Sequence, residues 1–94
     1  MITVHLVLPK DSSGIAGYQF GKGIYTEQVE PKYLNKSEEL TIVFPDFIER
    51  VASSFVQGFF SILIEEIGYE EVKKRVNVKM KNNQLVTLFW DRLY

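Results

Sequence analysis

Three features of this chain predict an α/β fold. Residues Ile2 to Leu8 alternate in polarity and put Ile2, Val4, Leu6 and Leu8 on one face. Leu40 to Phe44 is a short continuous apolar run stopped by Pro45-Asp46, the pattern of a buried strand. From Ser53 to Ile67 the period changes to that of a helix. Val56, Phe59, Phe60, Leu63 and Ile67 then share a face, and Gly68 is placed to end it. Strands alternating with one-sided helices bury their apolar faces by stacking in layers. The expectation is one domain over residues 1–94, a small mixed sheet packed with helices. Its strands lie near 2–8, 40–45 and 75–80, and the 53–67 helix packs across them.

The remaining elements follow in order. Pro9 lacks an N–H and ends the first strand, and Lys10 to Gly14 is a polar loop with Ser-Ser-Gly as its turn signal. Residues 15–34 admit two readings. Ala16, Phe20 and Ile24 are four apart, as are Tyr25 and Val29, which favours a helix on the sheet. Gly17, Gly21 and Gly23 oppose it, each by about 1 kcal/mol relative to alanine. A hairpin turning at Gly21-Lys22-Gly23 is the competing arrangement; the helix is preferred. Asn35 to Glu39 is a solvated connection. Ser53-Ser54 stands where the first N–H groups of the long helix lack intrahelical partners, which suits a capping serine. Tyr69 to Arg75 is charged and predicts one or two surface turns. Val76 and Val78 alternate with Asn77 and Lys79 as a short strand, and Lys81-Asn82-Asn83 makes a turn and a cap. Leu85, Leu88, Phe89 and Leu93 have the spacing of a terminal helix, with a strand over Leu85 to Trp90 as the other reading. Trp90 and Tyr94 serve as anchors for a core or an interface.

Composition narrows the function classes. At 94 residues the chain buries only about 60–65% of its unfolded surface, so a partner or a second copy would add to a modest core. A net charge of −1 gives no electrostatic case for nucleic acid or an anionic membrane. No cysteine is present, which removes disulfide and thiolate chemistry. No apolar run reaches the roughly 20 residues of a membrane span. The opening residues read as a strand and not a leader, and the setting expected is cytoplasmic.

Each candidate for chemistry has a plainer explanation. The stretch Gly14 to Gly23 is glycine-rich, but a phosphate loop needs a glycine where Ala16 stands and a serine or threonine where Gly23 stands; close packing or turns explain these glycines. His5 is the single histidine and has no companions for a zinc site. Asp46 follows the central strand, where α/β proteins often place site residues; it binds a partner group or a metal, or it caps its own turn. Glu65, Glu66, Glu70 and Glu71 lie beside Lys73, Lys74 and Arg75 and read as a solvated helix end. Lys73, Lys74, Arg75, Lys79 and Lys81 form a weak basic patch diluted by those glutamates. No cofactor and no metal are expected. Three functions are kept in view. The preferred one is a non-enzymatic regulatory or protein-binding module. The others are a small metal-dependent hydrolase or nuclease subunit using Asp46 and nearby carboxylates, and a structural phage or host protein that self-associates.

The second half of the chain resembles a known family. Ile42-Val-Phe-Pro-Asp-Phe47 reads as a central strand ending in an aspartate-containing turn. After a short spacer, Val51-Ala-Ser-Ser-Phe55 opens an apolar helix. Val76 to Met80, Asn82-Asn83 and Leu85 to Leu93 then supply a strand, an asparagine turn and a terminal helix. This sequence of features is similar to the STAS-like family of small bacterial and phage-associated proteins. More distantly it resembles the STAS domains of anti-sigma factor antagonists. The first forty residues match less well: the basic residue usual early in the family's first helix is represented only by Tyr18, Gln19 and Lys22. In the antagonists an Asp-Ser-Ser-Gly sequence opens the corresponding helix, and its first serine is phosphorylated by a partner kinase of the histidine-kinase-like ATPase type. By that resemblance the phosphorylated serine falls on Ser53 and its neighbour on Ser54, with Ala52 in place of the aspartate and Phe55 in place of the glycine. The resemblance thus implies a regulatory surface at Ser53, Ser54 and Asp46, phosphorylation at Ser53, and a protein partner of the ATPase type, with a homo-oligomer as a further form.

Overall fold

The computed structural model describes residues 1–11 and 13–93. Ser12, in the expected Ser-Ser-Gly turn, and Tyr94 lie outside the described residues. Three strands, β1 (Ile2–His5), β3 (Leu40–Val43) and β5 (Val76–Lys79), form a parallel sheet in the order β1-β3-β5. A second parallel pair joins β2 (Gly14–Ile15) to β4 (Arg50–Val51). The helices are α1 (Tyr18–Ile24), continued by a π-helical turn (Tyr25–Val29), then α2 (Ser53–Ile67), α3 (Tyr69–Arg75) and α4 (Asn83–Asp91). The structure therefore decides for the helix over the hairpin, though only residues 18–29 of the expected 15–34 are helical and Ile15 joins β2, and it decides the last stretch for a helix over a strand.

Register explains which strand residues meet the core. Ile2, Leu40 and Val76 lie in one row, and Val4, Ile42 and Val78 in another. Leu40 and Ile42 are fully buried, Val4, Val76 and Val78 nearly so, and Ile2 is half-buried. The alternate rows, Thr3–Thr41–Asn77 and His5–Val43–Lys79, lie on the other face. Their outer-strand members are exposed, whereas Thr41 is shielded at the centre of the sheet. Under the covered face lies an aromatic core. Phe44 packs edge-on to Phe55 and Phe89, Phe59 stacks on Phe55, and Trp90 stacks on Phe60.

The long helix is joined to the first by close backbone approach. A Cβ on Gly58 would stand 1.9 Å from the Tyr18 carbonyl oxygen, and one on Gly21 would stand 2.2 Å from the Phe55 carbonyl oxygen. Gly21 serves packing, as the sequence suggested for its stretch, and Gly58, which the sequence reading did not single out, does the same. Gly68 ends α2 at φ 88°, donating its N–H to the Ile64 carbonyl at 2.8 Å. Asn82 caps α4, its side chain accepting from the Leu85 N–H at 3.0 Å. α3 is more than surface turns, because Val72 is fully buried. Tyr25 is also fully buried, with its ring edge-on to Phe59. Burial, then the nearby Glu66, Glu30 and Tyr33, raise its pKa, and its hydroxyl has no hydrogen-bond partner among the described residues.

Candidate functional site at the start of the long helix

β4 ends at Val51, one extended residue, Ala52, turns the chain, and α2 begins at Ser53. Ala52 holds the N-cap position at φ −73° and ψ 151°, with no side-chain cap. The expectation that a serine caps this helix is corrected: α2 spans Ser53–Ile67, the range the sequence suggests, but its N-cap is Ala52, so both serines lie within the first turn. Ala52 is fixed from both sides. Its N–H donates to the Ile15 carbonyl at 2.9 Å, and its carbonyl accepts from the Val56 N–H at 3.2 Å.

The two serines have different roles. The Ser54 hydroxyl accepts from the Gly17 N–H at 3.0 Å in a partly buried contact, tying α2 to the segment that opens α1. Ser53 is exposed and carries no such bond. Asp46 sits in the turn after β3, exposed, and the turn is closed by the Ile48 N–H on the Pro45 carbonyl at 3.2 Å. Among the described residues no hydrogen bond or ion pair ties the Asp46 side chain to its turn or to either serine. Phe55 is fully buried, stacked on Phe59 and tilted against Phe20.

Beside the helix start lies a groove of about 360 Å³, which residue-by-residue reading of the sequence missed. Ile15 and Val51 from the β2–β4 pair line it together with Ala52. Leu85, Leu88 and Arg92 of the C-terminal segment form the opposite side, and Arg50 and Glu49 also contribute. Leu88 is 45% exposed, high for a leucine facing nothing. Glu49 is held by Lys81 at 3.0 Å, and that ammonium, as hydrogen-bond donor and charge, holds the carboxyl below its usual range. Arg50 and Arg92 are exposed and form no ion pair among the described residues. The surface is thus apolar with two available guanidinium groups. The sequence signal for it was the 85, 88, 92 spacing, legible only once α4 is known to fold back over residues forty positions earlier.

The other candidates disperse. His5 is exposed on the open face of the sheet. Arg75 pairs with Glu71 at 2.9 Å and donates to the Lys36 carbonyl at 2.7 Å. Lys73 lies over the Tyr69 ring, and Lys81 is on Glu49, so these basic residues are engaged by other groups. Among the described residues no three His, Cys, Asp or Glu side chains converge as metal ligands, which leaves the Asp46 hydrolase reading without a ligand set. No helix among the described residues is long and apolar enough to cross a membrane.

One family's sequence model, described as "STAS-like domain of unknown function (DUF4325)", matches residues 21–85. Comparison with curated proteins and with solved structures gave no match.

Proposed function

We propose that this chain, which belongs to the STAS-like domain family, is a non-enzymatic module of the regulatory, protein-binding kind whose partner docks over the groove beside the start of α2, with Ser53 as the point of control. The observation that carries the reading is the division of labour between the serines. Ser54 is committed to the Gly17 N–H, whereas Ser53 is exposed in the first helical turn. A phosphoryl group there would add roughly −1.5 to −2 charges without disturbing a buried contact. The positive end of the helix dipole would favour it. Arg50 stands three residues earlier in the chain, so the phosphate would compete for the cationic surface that an acidic, apolar partner segment would use.

The partner class proposed is a histidine-kinase-like ATPase acting as serine kinase, in the cytoplasm. Asp46 lies outside the groove and is assigned an outer contact to the same partner. The test is capture of that ATPase on immobilised wild type, Ser53→Ala, Ser53→Asp and Leu88→Glu, with melting temperatures measured in parallel. Wild type and Ser53→Ala should bind alike. Ser53→Asp and Leu88→Glu should lose at least tenfold in affinity while melting near wild type, since both positions are exposed. Equal affinity across the four proteins removes both the groove and the switch.

A further inference from the structure

The groove beside Ser53 contains its own competitor for a partner's negative charge. Glu49 and Arg50 are consecutive, and the alternation of a strand would aim them at opposite faces. Here both N–H groups donate to the Ser13 carbonyl, at 2.6 and 3.1 Å. Two residues thus stand opposite one, as at a bulge, and both side chains line the groove. The Arg50 side chain lies across the neighbouring strand, its Nε 3.5 Å from the position of a Cβ on Gly14. Arg92 stands on the opposite wall. Among the described residues Glu49 is the one carboxylate that lines the groove, and Lys81, then Arg50, favour its charged form. Its Oε1 is nevertheless taken by the Lys81 ammonium at 3.0 Å, reaching in from the turn after β5. Arg50 is left with no ion pair among the described residues.

Lys81 thereby keeps the Arg50 guanidinium open to a carboxylate from outside. A guanidinium accepts that geometry in two parallel N–H···O bonds. Beside it the groove is aliphatic, with the nearly buried Ile15 and Val51 and the half-exposed Leu88. We propose that the partner segment seated here presents an acidic side chain to Arg50 next to an aliphatic one on Val51 and Leu88, and that Lys81 is the positioning residue that keeps Glu49 from taking the acid's place. Arg92 on the far wall adds to the attraction for an anion. This occupant rests on the reading of the groove as the docking site and adds to it what the partner must carry. Without Lys81 the Glu49 carboxylate turns to its neighbour Arg50, and the groove satisfies its own charge.

The probe is the blocked tripeptide acetyl-leucyl-glutamyl-leucine amide, with glutaminyl and lysyl counterparts and free 4-methylpentanoate as comparisons. Each is titrated into the full chain while NMR follows the Leu88 methyl and Arg50 Nε–H signals. The glutamyl peptide should shift both signals saturably, and the glutaminyl and lysyl peptides should bind at least about fivefold more weakly. Lys81→Met should weaken the glutamyl peptide at least about threefold and, with no peptide present, move the Arg50 Nε–H signal as Glu49 pairs with it. Lys81→Met with Glu49→Gln should restore both. Lys81 and Glu49 are exposed partners, so these variants should melt near wild type. A glutaminyl peptide that binds as tightly as the glutamyl one overturns the proposal. So do an absence of saturable shifts and an Arg50 signal unmoved in Lys81→Met. Free 4-methylpentanoate binding as tightly as the peptide would make a small carboxylate the occupant and overturn it too. Failed capture of the ATPase with peptide binding intact removes that partner and leaves the groove's chemistry standing; capture that depends on Leu88 without preference for the acidic peptide removes this inference alone.

Discussion

Replacing Gly58 by alanine tests the packing that holds the site together. Alanine improves intrinsic helix propensity by about 1 kcal/mol. Its Cβ, however, would stand 1.9 Å from the Tyr18 carbonyl oxygen and 2.7 Å from the carbonyl carbon. Ordinary C···O contacts lie near 3.3–3.6 Å, so α1 and α2 must separate by roughly 1 Å or more, and the obstructing atoms are backbone. Overpacking of this kind costs about 1–3 kcal/mol, and a backbone-on-backbone contact belongs at the upper end. The net expectation is a loss of about 2 kcal/mol, which in a domain of this size lowers the melting temperature by roughly 10 °C. Gly21→Ala should behave alike, since its Cβ meets the Phe55 carbonyl oxygen at 2.2 Å. The double variant should cost less than the sum, because one separation makes room for both methyl groups. Gly23 is the control: nothing lies within 4 Å of its Cβ position, so Gly23→Ala should keep or raise stability by up to about 1 kcal/mol. Thermal melts by circular dichroism and calorimetry read all four. Gly58→Ala melting at or above wild type would refute the close crossing.

Three further outcomes follow from the same structure. Tyr25→Phe removes a buried hydroxyl that has no partner among the described residues and should raise the melting temperature, by an amount set by the roughly 1–3 kcal/mol cost of an unmade bond; a marked fall would show that the hydroxyl is bonded in solution. Ser54→Ala strands the Gly17 N–H and should cost about 1–2 kcal/mol, whereas Ser53→Ala should stay within about 0.5 kcal/mol of wild type. Lys81 lowers the Glu49 pKa in the folded state, so that pair's contribution is present above the ordinary value of 4.5 and fades as pH falls through the lowered one. Comparing acid unfolding of wild type and Glu49→Gln should show a shallower pH dependence in the variant, and identical curves would remove the pair from the account.

The sequence carried the parts of this fold that repeat locally. β1 and β5 alternate because one face of each is open. β3 is apolar but for Thr41, which is buried at the centre of the sheet between β1 and β5. α2 shows its period because its buried face is broad. What stayed hidden depends on distant residues meeting. The β2–β4 pair joins Gly14 to Arg50 and Ile15 to Val51 through two residues each, too short for any pattern. α1 looked doubtful because its glycines weaken a helix, yet Gly21 is there for the crossing with α2. The position of Ser53 and Ser54 was legible. Their roles were not, because Ser54 is bound to Gly17, thirty-seven residues away, and Arg92 reaches the groove only after α4 folds back.

Hydrogen–deuterium exchange of the chain with and without the proposed ATPase partner tests the docking surface most directly. Amides of residues 14–16, 50–56 and 85–92 should become protected together, and that protection should be lost with Ser53→Asp. Protection confined to the open face of the sheet around Thr3, His5 and Asn77, with the groove exchanging as in the free chain, would contradict it.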